Sequence, residues 1–82
     1  MNLYLRKLVD KLVKTNNKRD MVDLLEALFT PQELRSIPRR LEIIHLIKKG
    51  MPQHDIAKKL GVGVATVSRG ANEVKLGRFK NV

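Results

Sequence analysis

The stretch Gln53-His54-Asp55-Ile56-Ala57-Lys58-Lys59-Leu60-Gly61-Val62-Gly63-Val64-Ala65-Thr66-Val67-Ser68-Arg69-Gly70-Ala71-Asn72 decides how this chain folds. It reads as a short helix from Gln53 to Leu60, a turn at Gly61-Val62-Gly63, and a second helix from about Val64. Each key position has a physical reason. Ala57 is small where two helices would cross, Gly61 permits a left-handed turn, and Ile56, Leu60, Val62 and Val67 fill the space between the helices. Two helices joined by a glycine-bearing turn form a helix-turn-helix, over residues 53–72. An ordinary helical hairpin satisfies the same spacing.

Upstream, apolar residues recur at helical period. Leu5, Leu8, Val9, Leu12 and Val13 alternate with Arg6, Lys7, Asp10, Lys11 and Lys14, which predicts an amphipathic first helix ended by Thr15, Asn16 and Asn17. Met21, Val22, Leu24, Leu25, Leu28 and Phe29 predict a second, whose wide apolar arc implies packing on two sides. Thr30, Pro31 and Glu33 start a third: Thr30 can accept from an orphan N–H, Pro31 needs no donor there, and Glu33 completes a capping box. Pro38 predicts a kink or break near Ile37. The helix then resumes with Leu41, Ile43, Ile44, Leu46 and Ile47 as its apolar positions. Lys48 and Lys49 precede Gly50, the terminator.

The 82 residues carry no polar linker, so one all-α domain, 1–82, is expected, close to the lower size limit for a self-sufficient core. With one Tyr, two Phe and no Trp, that core is aliphatic and small. Sharing surface in an oligomer is the expected remedy. The absence of Cys removes disulfides, thiolate metal sites and a thiol nucleophile. No apolar run approaches the ~20 residues of a membrane span, and charges interrupt the N-terminal segment. A cytoplasmic protein without membrane association is expected.

Seventeen Lys and Arg oppose eight Asp and Glu, a formal charge of +9 that attracts polyanions. A solvated basic surface or a membrane-surface protein would show the same charge. Combined with the helix-turn-helix, the charge points to double-stranded DNA. In that geometry the second helix enters the major groove N-terminus first, so Val64, Ala65, Thr66 and Ser68 become candidate base readers, with Gln53 and His54 from the first helix. Small apolar and hydroxyl groups can touch a thymine methyl or bond through water, but make no bidentate base contacts; Arg69 and Asn72 are the exceptions. Arg39, Lys48, Lys49, Lys58, Lys59 and Lys75 are candidates for phosphate contact.

Gly70 breaks the apolar pattern three residues after Val67, at a cost of ~1 kcal/mol relative to Ala. Two readings explain it equally well: a close helix crossing, or a hole beside the recognition helix where a ligand could sit.

The run Leu28-Phe29-Thr30-Pro31-Gln32-Glu33, then Arg40, Gly50, Gln53 and Gly61 to Asn72, resembles the Trp repressor family in order and spacing, over about Asp23 to Lys75. Arg69-Gly70 after the turn is the specific part. The resemblance implies an intertwined all-helical homodimer that represses transcription, in which L-tryptophan acts as corepressor by propping two reading heads at a palindromic operator, with no reaction catalysed. It further implies that Arg69 and Arg40 sandwich the indole from the two subunits. Arg69 and Thr30 would bind the carboxylate, the carbonyls of Ala27 and Phe29 would receive the ammonium, and Gly70 would leave room for the ring. Thr66 would lie in the ligand-contacting, base-facing stretch.

The chain departs from the family at three places. Glu73 stands where tryptophan-binding members carry a Ser that contacts the ammonium; it could pair with that ammonium or with Arg69, and in the second case the effector would differ or the protein would be ligand-independent. After Lys75, where the family continues into a helix that braces the dimer, only Leu76 to Val82 stand, including Gly77. Pro38 interrupts the long central helix, and one residue is deleted between Gly50 and Gln53. A shortened member acting by protein interaction, as an antagonist, is the alternative of another class. An enzyme is not expected: His45, among apolar residues, reads as partly buried, His54 as a DNA or solvent contact, and neither has a triad or metal companion.

Overall fold

A computed structural model describes residues Met1–Val82. The chain is all-α, with five helices in the order α1 (Leu3–Lys14), α2 (Lys18–Leu28), α3 (Pro31–Lys48), α4 (Gln53–Leu60) and α5 (Val64–Lys75). It divides into two compact units, Met1–Leu34 and Arg35–Val82.

In the first unit, local capping sets the helix ends. The Asn2 side chain accepts from Leu5 N–H at 2.8 Å and opens α1. Thr15 closes it, its hydroxyl donating to Lys11 O at 2.7 Å. Asn17, expected only to end the first helix, starts the second: its side chain accepts from Asp20 N–H at 2.8 Å and donates to the Asp20 carboxylate at 2.8 Å. The predicted capping box is present. Glu33 N–H donates to the Thr30 hydroxyl at 3.1 Å, and Thr30 N–H donates to Glu33 Oε1 at 2.8 Å. That backbone bond, and after it the Thr30 hydroxyl, hold the Glu33 carboxyl below its ordinary pKa. No side chain of α1 or α2 is buried.

Pro38 does not break α3, which runs as one helix from Pro31 to Lys48. The missing donor leaves the Leu34 carbonyl without its usual partner, but the helix continues because Ile43, Ile44 and Leu46, a turn or more further on, are anchored in the second unit's core. The helix ends in a Schellman turn. Gly50 has φ +87°, its N–H donates to Ile47 O at 3.0 Å, and Met51 N–H donates to Leu46 O at 3.1 Å.

The second unit has a closed core. Ile43, Leu46, Ile56, Ala57 and Val67 are buried together, with Ile47, Met51, Leu60 and Val62 packed against them. Ile56 and Val67 are the largest fully enclosed side chains. His45 is a correction: it is exposed, 3.5 Å from Glu42, because its neighbours Ile44 and Leu46 lie about 100° to either side of it on the helix and only they face inward.

Candidate DNA interface and ligand cleft

The two helices and the glycine turn between them stand where the spacing predicts. Gly61 adopts φ +66°, its N–H donates to Ala57 O, and Val62 N–H donates to the same oxygen at 3.0 Å. This left-handed turn swings the chain so that α5 packs across α4, with Ala57 at the crossing and Val67 in the core between them. Gly63 caps α5 with no side-chain hydrogen bond, so the first N–H groups of that helix stay open.

Of the residues singled out for DNA, Gln53, His54 and Lys58 stand on α4, and Val64, Ala65, Thr66, Ser68, Arg69, Asn72 and Lys75 on α5. All are exposed except Gln53, which is half-buried. Ser68 Oγ donates to Gln53 Oε1 at 2.6 Å, which ties the starts of the two helices together on the outer face. The amide hydrogens of Gln53 remain available to an outside acceptor.

A cleft of about 390 Å³ lies between α3 and α5, lined by Arg40, Ile43, Ile44, Thr66, Arg69, Gly70, Glu73 and Phe79. Four residues of the implied ligand set, Arg40, Arg69, Gly70 and Glu73, are therefore brought to one place. Ala27, Phe29 and Thr30 belong to the other unit, at the end of α2 and the start of α3. The Thr30 hydroxyl already accepts from Glu33 N–H.

Gly70 stands at a close approach of two helices and also lines the cleft. A Cβ there would sit 3.2 Å from Ile43 Cγ2, 3.4 Å from Ile44 Cδ1 and 3.5 Å from Ile47 Cδ1, so the missing side chain lets α5 approach α3.

Glu73 does not pair with Arg69. Its Oε2 accepts from Arg78 Nε at 2.8 Å, and neither Arg40 nor Arg69 is ion-paired. Arg78 and Phe79 carried no periodic signal and stand outside every motif in the sequence. Only the chain reversal after α5 brings them here.

The chain matches the model of the Trp repressor protein family over residues 4–80. It belongs to that family. Among curated relatives it is 43% identical to the Trp operon repressor homolog of Vibrio campbellii over 61 residues, 73% of this chain and 59% of that one. It is 44% identical to that of Vibrio vulnificus over 54 residues, 65% and 53% of the two chains. It is 42% identical to that of Vibrio atlanticus over 66 residues, 78% and 67%. The chain spans about half to two thirds of the length of these relatives. No solved structure matches it. No helix is long and apolar enough to cross a membrane, and no group of three or more His, Cys, Asp or Glu could hold a metal ion.

Proposed function

We propose that this member of the Trp repressor family is a sequence-specific DNA-binding transcriptional repressor, a homodimer acting in the cytoplasm and catalysing no reaction. The observation that carries the reading is the α5 N-terminus. Its uncapped N–H groups and the exposed Val64, Ala65, Thr66, Ser68 and Arg69 stand on a rigid core, in a chain of charge +9. Small side chains at this end let the helix approach base edges closely, while Lys58, Lys75, Arg39 and Lys49 supply charge for phosphates. The relatives are named as Trp operon repressor homologs, which supports the regulatory role.

Dimerisation has a physical basis in Met1–Leu34. Leu3, Tyr4, Leu5, Val9, Val13, Val22 and Leu28 are exposed there, apolar side chains on two amphipathic helices that a second copy would cover. A second copy is the covering that a palindromic DNA site matches.

The cleft is the effector site of this reading. Its apolar floor of Ile43 and Ile44 suits a flat ring, and the unpaired Arg40 and Arg69 suit a carboxylate. L-tryptophan is the first effector to examine, as corepressor. Ala27, Phe29 and Thr30 would be completed into the site by dimer assembly.

Fluorescence anisotropy with duplex DNA across a salt series tests the DNA reading. The expected result is affinity that falls steeply and linearly on a log–log scale, with Lys58→Ala reducing the slope by about 1. No binding to any duplex at low salt would sink it.

A further inference from the structure

One side-chain hydrogen bond joins α4 to α5, and it limits what each of its partners can offer a base. Ser68 Oγ donates to Gln53 Oε1 at 2.6 Å. A serine inside a helix can turn its hydroxyl back onto the carbonyl four residues earlier; this one reaches across to the neighbouring helix instead. The core fixes both residues. Gln53 stands one turn before Ile56 and Ser68 directly follows Val67, the two side chains most fully enclosed between the helices. Ser68 also shares a helix face with Val64 and Ala65, four and three residues earlier, at the end of α5 that the repressor reading turns toward the bases. Those two side chains offer no hydrogen bond of their own.

A hydroxyl carries one hydrogen and two lone pairs, so a free serine donates or accepts alike and discriminates poorly among bases. With its hydrogen committed to Gln53, Ser68 can only accept. The Gln53 amide has turned its oxygen to Ser68, and neither of its N–H hydrogens is engaged. An acceptor and a donor therefore stand side by side. Adenine presents the complement on its major-groove edge, the N6 amino donor beside the N7 acceptor. Guanine presents two acceptors there, and its O6 would meet the Ser68 lone pairs with no hydrogen between them.

We propose that Gln53 and Ser68 form one composite reader, in which Ser68 Oγ accepts from adenine N6–H while Gln53 Nε2 donates to N7 of the same base. Two residues on two helices thereby do what a single unencumbered Asn or Gln amide does alone. Gln53 acts twice, by contacting the base and by fixing the direction of the Ser68 hydrogen. The inference rests on the repressor reading and adds a base preference to it, one adenine in each half-site.

Selection from a pool of randomised duplexes, followed by anisotropy on the selected site and its adenine-to-guanine counterpart, tests the pair. The unmodified chain should select adenine at one position per half-site and lose roughly 5–100-fold in affinity when guanine replaces it. Ser68→Ala should remove that preference and leave the salt slope as it was, because no phosphate contact is lost. Ser68→Thr should keep the preference. Gln53→Leu frees the Ser68 hydrogen, so adenine and guanine should be taken alike, and adding Ser68→Ala to Gln53→Leu should change the ratio no further. Ser68 is exposed and Gln53 half-buried, so every variant should melt with the parent in circular dichroism. A selected site without such an adenine, a preference that survives Ser68→Ala, or additive effects of the two substitutions overturns the proposal. So does a Ser68→Ala chain that weakens on every duplex alike with a smaller salt slope, the mark of a phosphate contact. In all of these duplex binding persists and the repressor reading stands; if no duplex is retained at low salt, both fall.

Discussion

Met1–Leu34 and Arg35–Val82 are both helical and both amphipathic, yet only one of them has an interior. In the second, Ile43, Ile44, Leu46, Ile56, Ala57, Val67 and Ala71 are buried, and a turn at Gly61 folds one helix over another. In the first, well-capped helices with strong apolar stripes bury nothing fully, and Tyr4 and Val13 are 79% and 77% exposed. The difference teaches that an amphipathic pattern states which face needs cover, not what covers it. The second unit supplies its own cover through three helices meeting; the first leaves its apolar faces exposed.

The sharpest way to break this contrast is to charge the uncovered face. Val9→Asp with Val13→Asp alters two exposed positions and would change an isolated chain's stability by only about 0.5 kcal/mol each. In a dimer sealed by that face the pair should abolish association, visible as a fall to monomer mass in sedimentation equilibrium. If the unmodified chain is itself monomeric, with a melting temperature independent of concentration, the first unit needs no partner and the comparison fails.

The next effect is confined to the second unit. Ile56→Ala removes most of a fully enclosed side chain between α4 and α5 and should cost about 2–5 kcal/mol in urea unfolding, through lost burial and the cavity left behind. Leu5→Ala, at a 45% exposed position, should cost far less in the dissociated chain. Similar costs at both positions would show that α1 is buried in a core after all.

The smallest effect belongs to the first unit and depends on pH. Because the capping box lowers the Glu33 pKa on folding, its contribution is full above the unfolded carboxyl pKa and is lost as pH falls through the lower folded value. Glu33→Gln should therefore be slightly less stable than the parent near neutrality, and the two should converge in acid. A gap that stays constant with pH would mean the carboxylate is not what stabilises the start of α3.

How much was legible in the sequence follows the range of the forces involved. The capping box of Thr30 and Glu33, the ends of α4 at Gln53 and Leu60, the Gly50 terminator and the α5 start at Val64 all stand as expected. Each rests on bonds between residues three to five apart. His45 misled because adjacent residues on a helix face different ways, and a sequence neighbourhood of apolar residues is not a spatial one. Of the kink or break expected at Pro38, the break did not occur, since packing further along the same helix holds it together. Asn17 was read as a stop when its side chain makes it a start.

The candidate cleft divides in the same way. Arg40, Arg69, Gly70 and Glu73 were recognisable by their motif, and the structure lines one space with them. The partner of Glu73 was not, since Arg69 and Arg78 lie four and five residues away on either side and only the reversal at Gly77 decides between them. Phe79 was silent for the same reason.

The sequence by itself determined five helices, the capping box of α3 and the glycine turn between α4 and α5, because those depend on dihedral preference, period and hydrogen bonds closed within a turn or so. Tertiary structure alone decided that Gly70 serves both as a crossing point and as the floor of a cleft. It also decided that Arg78 takes Glu73 and that Phe79 reaches the space between α3 and α5. Those outcomes depend on where separate segments meet, and a chain can make that choice only once its core has closed.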